Sequence, residues 1–271
     1  MALSRRPPRR RRGMVAPHLA LVRAPRPFCP ARSLAGEFRA ATYNVHRWTG
    51  LNGRRKPDPD RAREVIDELD VDLLALQEVL RPENGEDPLE SLATAHGMHV
   101  AFAATRSHRF GQIGNAVLSR WPIVGATMCD LSFTRLEKRL SIGIQIRDGA
   151  LEFDAVSTHL ALSDRTRHRQ VKALLDHPRL RDTPTLLLGD MNAWRRCRAT
   201  RVLDRELTDH HNREWPASFP STRPVLALDR IYGKGLRILE VFAHRSRTAR
   251  RSSDHLPIVA RVRLERASVS A

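Results

Sequence analysis

Nine residues between positions 44 and 255 share one local setting: each closes or borders a short apolar run. Asn44 and His46 close FRAATYNV, Glu78 follows VDLLALQ, and His159 follows FDAVST. Asp190 and Asn192 follow TLLLG, Asp229 follows VLAL, and Asp254 and His255 precede LPIVARV. Runs of this length read as strands, and polar groups at strand ends gather along one sheet edge, where concave sites form. Any one of these residues alone is an ordinary turn residue; their recurrence is the signal. Asn44, Glu78 and Asp254 are hard oxygen donors suited to Mg²⁺, which takes a few carboxylates together with waters and substrate phosphate. Zinc fits worse, because no His/Cys cluster stands at ligand spacing. The remaining histidines, carboxylates and amides suit attack of water on phosphorus: a base for the water and donors for the phosphoryl oxygens. Neither a GxxxxGK[ST] phosphate loop nor a GxSxG elbow occurs, which argues against kinase-type transfer and serine hydrolysis.

The elements that must position these groups follow from periodicity. Phe38–Val45 and Val71–Gln77 read as strands, the second ending in the polar pair Gln77–Glu78. Pro59–Asp70 carries Ala62, Val65, Ile66 and Leu69 at helical spacing, with Asp58 at the cap position. Residues 81–97 hold a loop and a short helix. Further strands are expected at Val100–Ala104, Asn115–Ser119, Leu140–Ile146 and Leu151–Thr158, with Asp148-Gly149 as a hairpin turn between the last two. Asp164–Asp176 reads as a helix, and Thr185–Leu188, Leu236–Phe242 and Ile258–Leu264 as strands. Alternating strands and helices, mixed with hairpins, predict mixed sheets in one α/β domain over residues 37–266, followed by a short tail at 267–271.

Charge is unevenly spread. The 271 residues hold 47 Lys+Arg against 30 Asp+Glu, a net +17. Residues 1–36 contain nine arginines and no acid, so the remainder carries +8. That first stretch mixes Pro, Arg and Ala without period and reads as a structureless tail. Its Arg5–Arg12 cluster suits phosphates of nucleic acid or of anionic lipid; a start at Met14 would remove it. His18, Arg23 and Pro25 break any signal-peptide apolar segment, and no run approaches the ~18–20 residues of a membrane span. Cys29, Cys129 and Cys197 form no CxxC pair. Absence of an export signal and of paired cysteines points to the cytoplasm.

Taken in order, YNVH (43–46), LQEV (76–79), GNAVLSRWPI (114–123), STHL (157–160), GDMNA (189–193), LDRIY (228–232) and SDHLPIVA (253–260) resemble the motif series of the endonuclease/exonuclease/phosphatase superfamily, the deoxyribonuclease-I-like proteins. The resemblance runs from about Phe38 to Val262. It implies a four-layer αββα sandwich, two packed sheets covered by helices, with the site at the rim between the sheets. It also implies Mg²⁺- or Mn²⁺-dependent phosphoester hydrolysis.

Carried over by motif, Glu78 is the principal metal ligand, with Asn44 and Asp254 assisting. Asp190 orients or deprotonates the attacking water, and Asn192 holds a phosphoryl oxygen. His255 meets the phosphate, oriented by Asp229, and the sequence leaves the base open between Asp190 and His255. His159 donates to developing charge or protonates the leaving group. Asn115 supports the site, and Arg139 stands either at a phosphate-binding place or on the surface. His46 and His159 replace an aspartate and a tyrosine of the abasic-site endonucleases, and His159 is more like deoxyribonuclease I, sphingomyelinases and inositol-phosphate phosphatases. The whole is similar to compact bacterial members of the superfamily. Only 36 residues lie between Asn192 and Asp229, little room for a recognition insertion.

Two substrate classes stay open: nucleic acid, favoured by the positive charge, and a phospholipid head group, which the basic tail suits equally. Aromatic content of 5% offers few stacking platforms for bases. A non-catalytic phospho-ligand-binding protein on the same fold would need a degenerate site, and no chemical residue is missing. No obligate protein partner is expected.

Overall fold

In the computed structural model, residues 16–25, 32–134, 137–180, 184–207 and 214–264 are described. Twelve strands occur among them. The first six are β1 (His18–Arg23), β2 (Glu37–Asn44), β3 (Leu73–Pro82), β4 (His99–His108), β5 (Gly111–Ser119) and β6 (Ile123–Asp130). Then come β7 (Leu140–Asp148), β8 (Leu151–His159), β9 (Thr185–Asp190), β10 (Asp229–Lys234), β11 (Leu236–Ala243) and β12 (Ile258–Leu264). The helices are α1 (Pro59–Leu69), α2 (Pro88–Ala95), α3 (Asp164–Leu175), α4 (Arg198–Glu206) and the single turn α5 (Ala249–Ser252).

The strands form two sheets, ordered β1-β4-β5-β3-β2-β12-β11 and β10-β9-β8-β7-β6. Both are mixed: β2–β3 and β8–β9 are parallel, and the other pairs are antiparallel. Period-2 alternation sends one set of side chains into the space between the sheets. Phe38, Ala40, Leu73 and Ala75 of the larger sheet meet Ile142, Ile144, Phe153 and Leu188 of the smaller one there. The opposite faces carry Tyr43, Leu74 and Leu76 against Val65, Ile66 and Leu69 of α1 and Leu89 of α2, and Val156 and Leu187 against Val171 and Leu174 of α3 and Leu203 of α4. Three apolar layers therefore hold an αββα sandwich together, as the resemblance implies.

Four local expectations change. The structureless reading of residues 1–36 fails at His18–Arg23, which forms the edge strand β1 on β4, with Ala20 and Leu21 packed on the core. Its arginine- and proline-rich flanks hide a short strand that pairing with the β4 edge stabilises. The Arg5–Arg12 cluster and residues 267–271 lie outside the described residues. Asp229 does not follow a strand; it opens β10. Asp58 turns its carboxylate to Arg61 Nε (2.8 Å) rather than capping α1. Finally, β6 (IVGATMCD) and α4 (RATRVLDRE) arise where no element was expected.

Candidate functional site

Strand register brings the site together. Parallel β8 and β9 end level, with His159 beside Asp190, and antiparallel β10 begins where β9 ends, with Asp229 beside Asp190. Three chemical residues thus stand in a row along one rim of the smaller sheet. The larger sheet brings Asn44 at the end of β2, next to Gln77 of β3, and the Ser253–His255 turn just before β12. Glu78 follows Gln77 at φ 54°, inside an irregularity of the β3–β5 ladder between Leu76 and Val79. A bulge of this kind re-aims a side chain out of the regular alternation. Beneath the rim, Gln77 accepts from Thr42 Oγ1 (3.1 Å) and donates to Ser157 Oγ (3.3 Å), tying the two sheets directly.

One carboxylate oxygen is the hub. Asp190 Oδ2 accepts from Asn44 Nδ2 at 3.2 Å and lies 3.4 Å from His159 Nε2 and 3.8 Å from His255 Nε2. Its other oxygen accepts the backbone N–H of Asn192 at 2.9 Å, which holds the carboxylate in place. His255 Nδ1 meets Asp229 Oδ2 at 2.7 Å, and Phe219 packs against the imidazole with ring centroids 5.0 Å apart. Asp190, Asp229, His159 and His255 are all buried.

The two histidines differ in charge. Burial pushes His255 down, but Asp229 in contact and Asp190 nearby outweigh it and lift the imidazole to about 10. Burial, seconded by Arg139, pushes His159 down to about 3 despite the pull of Asp190. At neutral pH the first is an imidazolium and the second a neutral ring, so a shared carboxylate faces one charged and one uncharged donor. Separation of this sort within one site is the usual mark of divided acid and base roles.

The remaining sequence-selected residues occupy the other side of the cleft. Glu78, Asn115, Arg139 and His159 line a small pocket of about 30 Å³, enough for a water or two, with Thr105 and Arg106. Arg139 is therefore a lining residue; its Nε donates to Leu160 O (3.2 Å) and its Nη2 to Glu137 (2.9 Å). Asn115 donates to Leu140 O at 3.2 Å, bridging the sheets. Asn192 spends one amide proton on Leu160 O at 2.8 Å. Asp254 meets His46 Nδ1 at 3.1 Å, and Asn44 Oδ1 accepts the His46 N–H at 3.0 Å. Burial alone pushes Asp254 up, yet the hydrogen bond from His46, with His255 nearby, leaves it below the usual carboxylate range.

The structure brings one donor set together, and residue type marks a second. Asp190, Asp229 and His255 offer ligand atoms within 4.8 Å of one another. His255 spends Nδ1 on Asp229 at 2.7 Å, which leaves Nε2 as its free ligand atom. Asn44, Glu78 and Asp254 offer oxygen donors, and Glu78, half-buried with Arg47 at 3.4 Å, lines the cleft beside Arg106. The chemistry of this set fits Mg²⁺ or Mn²⁺.

Sequence reasoning gives no role to Arg47, Arg106 and Phe219, and none to Ser253 although it opens the SDHLPIVA motif. Ser253 donates to Asn44 O at 2.7 Å and so locks the His255 turn to β2. The arginines sit in no motif and carried no signal; Ser253 and Phe219 become meaningful only through partners far along the chain.

A sequence model described as "Endonuclease/Exonuclease/phosphatase family" matches residues 41–255. The Escherichia coli K12 protein YbhP, described as uncharacterized, is 31% identical over 255 residues, covering 87% of this chain and 100% of its own length. Among solved structures, an endonuclease/exonuclease/phosphatase from Beutenbergia cavernae superposes with TM-score 0.70 at 24% identity, over 87% of this chain and 73% of that one. D. rerio TDP2 complexed with single-strand DNA product superposes with TM-score 0.62 at 17% identity, over 84% and 99%.

Proposed function

Since the chain belongs to the endonuclease/exonuclease/phosphatase family, whose members hydrolyse phosphoester bonds, we propose that it is a Mg²⁺- or Mn²⁺-dependent phosphodiesterase that cleaves a P–O bond by direct attack of water. The observation that carries this reading is the convergence of Asn44, His159 and His255 on one oxygen of Asp190. Asn44, Glu78 and Asp254 would hold the metal, which would supply charge neutralisation at the phosphate.

The chain's own groups do the rest. Asp190 orients the water and takes its proton, a role His255 does not fill while Asp229 keeps it protonated. His255 presents a positive N–H to a phosphoryl oxygen, and Asn192 and Arg139 add donors. His159, neutral and buried, donates a hydrogen bond where charge develops without bringing a charge of its own. Nucleic acid is the favoured substrate class: beyond the basic tail, residues 37–271 still carry +8, and one structural relative holds a DNA product. No helix among the described residues is long and apolar enough to cross a membrane.

Hydrolysis of bis-(p-nitrophenyl) phosphate and of single-stranded DNA with added Mg²⁺ or Mn²⁺ tests the reading. Asp190→Ala and His255→Ala are each expected to lower turnover about a hundredfold or more. Unchanged turnover in both variants would overturn the assignment.

A further inference from the structure

Beside the metal-binding loops lies a second cavity that the hydrolytic chemistry does not use. Its volume is about 620 Å³, and its walls include Arg55, Arg61, Arg247 and Arg251, with Glu64 as the acid among the lining residues. Arg61 is bound to Asp58 at 2.8 Å, whereas Arg55, Arg247 and Arg251 have no carboxylate at ion-pair distance among the described residues and are exposed. Three unpaired guanidinium groups around one hollow repel one another unless an anion enters. Guanidinium is the side chain best matched to phosphate oxygens.

The cavity is joined to the reaction centre by the backbone. Its wall residue Ser252 is two positions from Asp254, so their Cα atoms lie within about 7 Å. Gly50, beside wall residues Leu51 and Asn52, forms a parallel bridge with Ser253 and accepts from His46 Nδ1 at 2.9 Å. The loops that hold His46 and Asp254 are therefore the loops that shape the hollow.

Positive charge continues past the rim. Arg54 and Lys56 flank Arg55 on one loop, and Arg245 precedes Arg247 on the other, all exposed. A basic face wider than one ligand suits a linear polyanion better than a single head group. The lining contains no aromatic ring, so contact is with phosphates rather than with bases.

Resting on the phosphodiesterase reading, we propose that this arginine cavity is a second phosphate subsite, which grips the backbone of a nucleic-acid strand a short distance from the bond being cleaved and makes the enzyme prefer polynucleotides without regard to sequence.

The test uses the full chain and the triple variant Arg55→Ser, Arg247→Ser, Arg251→Ser, with the corresponding triple Arg→Lys variant as a control for fold and charge. Binding of a fluorescent single-stranded oligonucleotide is followed by anisotropy in chelator, so that no cleavage intervenes. The serine variant is expected to bind on the order of tenfold more weakly at 0.1 M salt, with the slope of log affinity against log salt reduced by about 2, and the lysine variant is expected to restore the slope. In Mg²⁺, the ratio of kcat/KM on the oligonucleotide to that on bis-(p-nitrophenyl) phosphate is expected to fall by a similar factor. An unchanged slope and ratio in an enzyme that hydrolyses both substrates would overturn the subsite and leave the phosphodiesterase reading intact. Absence of any hydrolysis by the unmodified chain would defeat that reading, while the binding arm still decides the subsite. If the serine variant loses binding to phosphatidylcholine vesicles containing phosphatidylinositol 4,5-bisphosphate but keeps oligonucleotide binding, the strand assignment is wrong.

Discussion

Around Asp190 the two imidazoles differ in charge. His255 leans on Asp229 at 2.7 Å and is held protonated; His159, pushed down by burial first and by Arg139 second, stays neutral. Asp229 Oδ1 is buried without a hydrogen-bond partner among the described residues, so the carboxylate's charge is directed at the ring. Asp229→Asn keeps the shape and removes that charge. The His255 titration, followed by NMR in metal-free protein, is expected to move down from about 10, because the strongest upward influence is gone. Turnover is expected to fall about a hundredfold. A His255 midpoint that stays in place would show that Asp190, not Asp229, holds the proton there. Residues such as Asp190 and His255 were legible in the sequence because rare polar types interrupt apolar runs. Arg47 and Arg106 were not, since arginine is so common in this chain that its type marks nothing.

At the scale of elements, the loops after β8 and β9 are held by one buried side chain of α3. Arg167, with no exposed surface, donates to Ala161 O (2.9 Å), Leu162 O (3.0 Å) and Asn192 O (2.7 Å), and it pairs with Asp164. Arg167→Met leaves those carbonyls unpaired, so the expected loss is about 3 kcal/mol by urea unfolding, with turnover falling as Asn192 and His159 lose their setting. Arg167→Lys is expected to recover part of the stability, because the three carbonyls all accept from the one nitrogen Nη1 and an ammonium also carries three donors, while the pairing of Nη2 with Asp164 is lost. At the sheet edge, removal of residues 1–25 would expose β4 along the row now paired with β1. A lower melting temperature and concentration-dependent association in size-exclusion chromatography are expected. The long elements were readable because periodicity repeats within them: α1 ends one residue from its expected end, and β12 has its expected limits. Those missed depend on neighbours. β1 is six residues long and borrows its stability from β4, and the strand assigned before Asp229 is displaced by β10 because only pairing with β9 decides where it starts.

For the whole molecule, acid is the condition that tests packing and charge together. His159 and His177 are buried and neutral, lowered to about 3 and about 4, against 6.5 for an ordinary imidazole. The lowering of His177 comes from burial first and then from Arg179; its Nδ1 accepts the Arg179 N–H at 3.1 Å, and its Nε2 has no partner among the described residues. Gly143 of β7 leaves room for this ring: a Cβ there would stand 2.5 Å from its Cε1. Between pH 6.5 and 4 the unfolded chain binds protons that the folded chain refuses, so stability complete above 6.5 falls as pH drops. Each such group contributes at most about 1.4 kcal/mol per pH unit. His255 has the opposite sign: raised to about 10, its contribution is complete below 6.5 and lost as pH rises through 10. The net +17 grows on acidification and adds repulsion to the acid limb. Urea unfolding across pH is therefore expected to show greatest stability near neutrality. His177→Asn keeps an acceptor for the Arg179 N–H and removes the titrating ring, so its acid limb is expected to be shallower by up to about 1.4 kcal/mol per pH unit. An acid limb as steep as that of the unmodified chain would assign the acid lability to repulsion among the arginines, and raising the salt concentration would then flatten it.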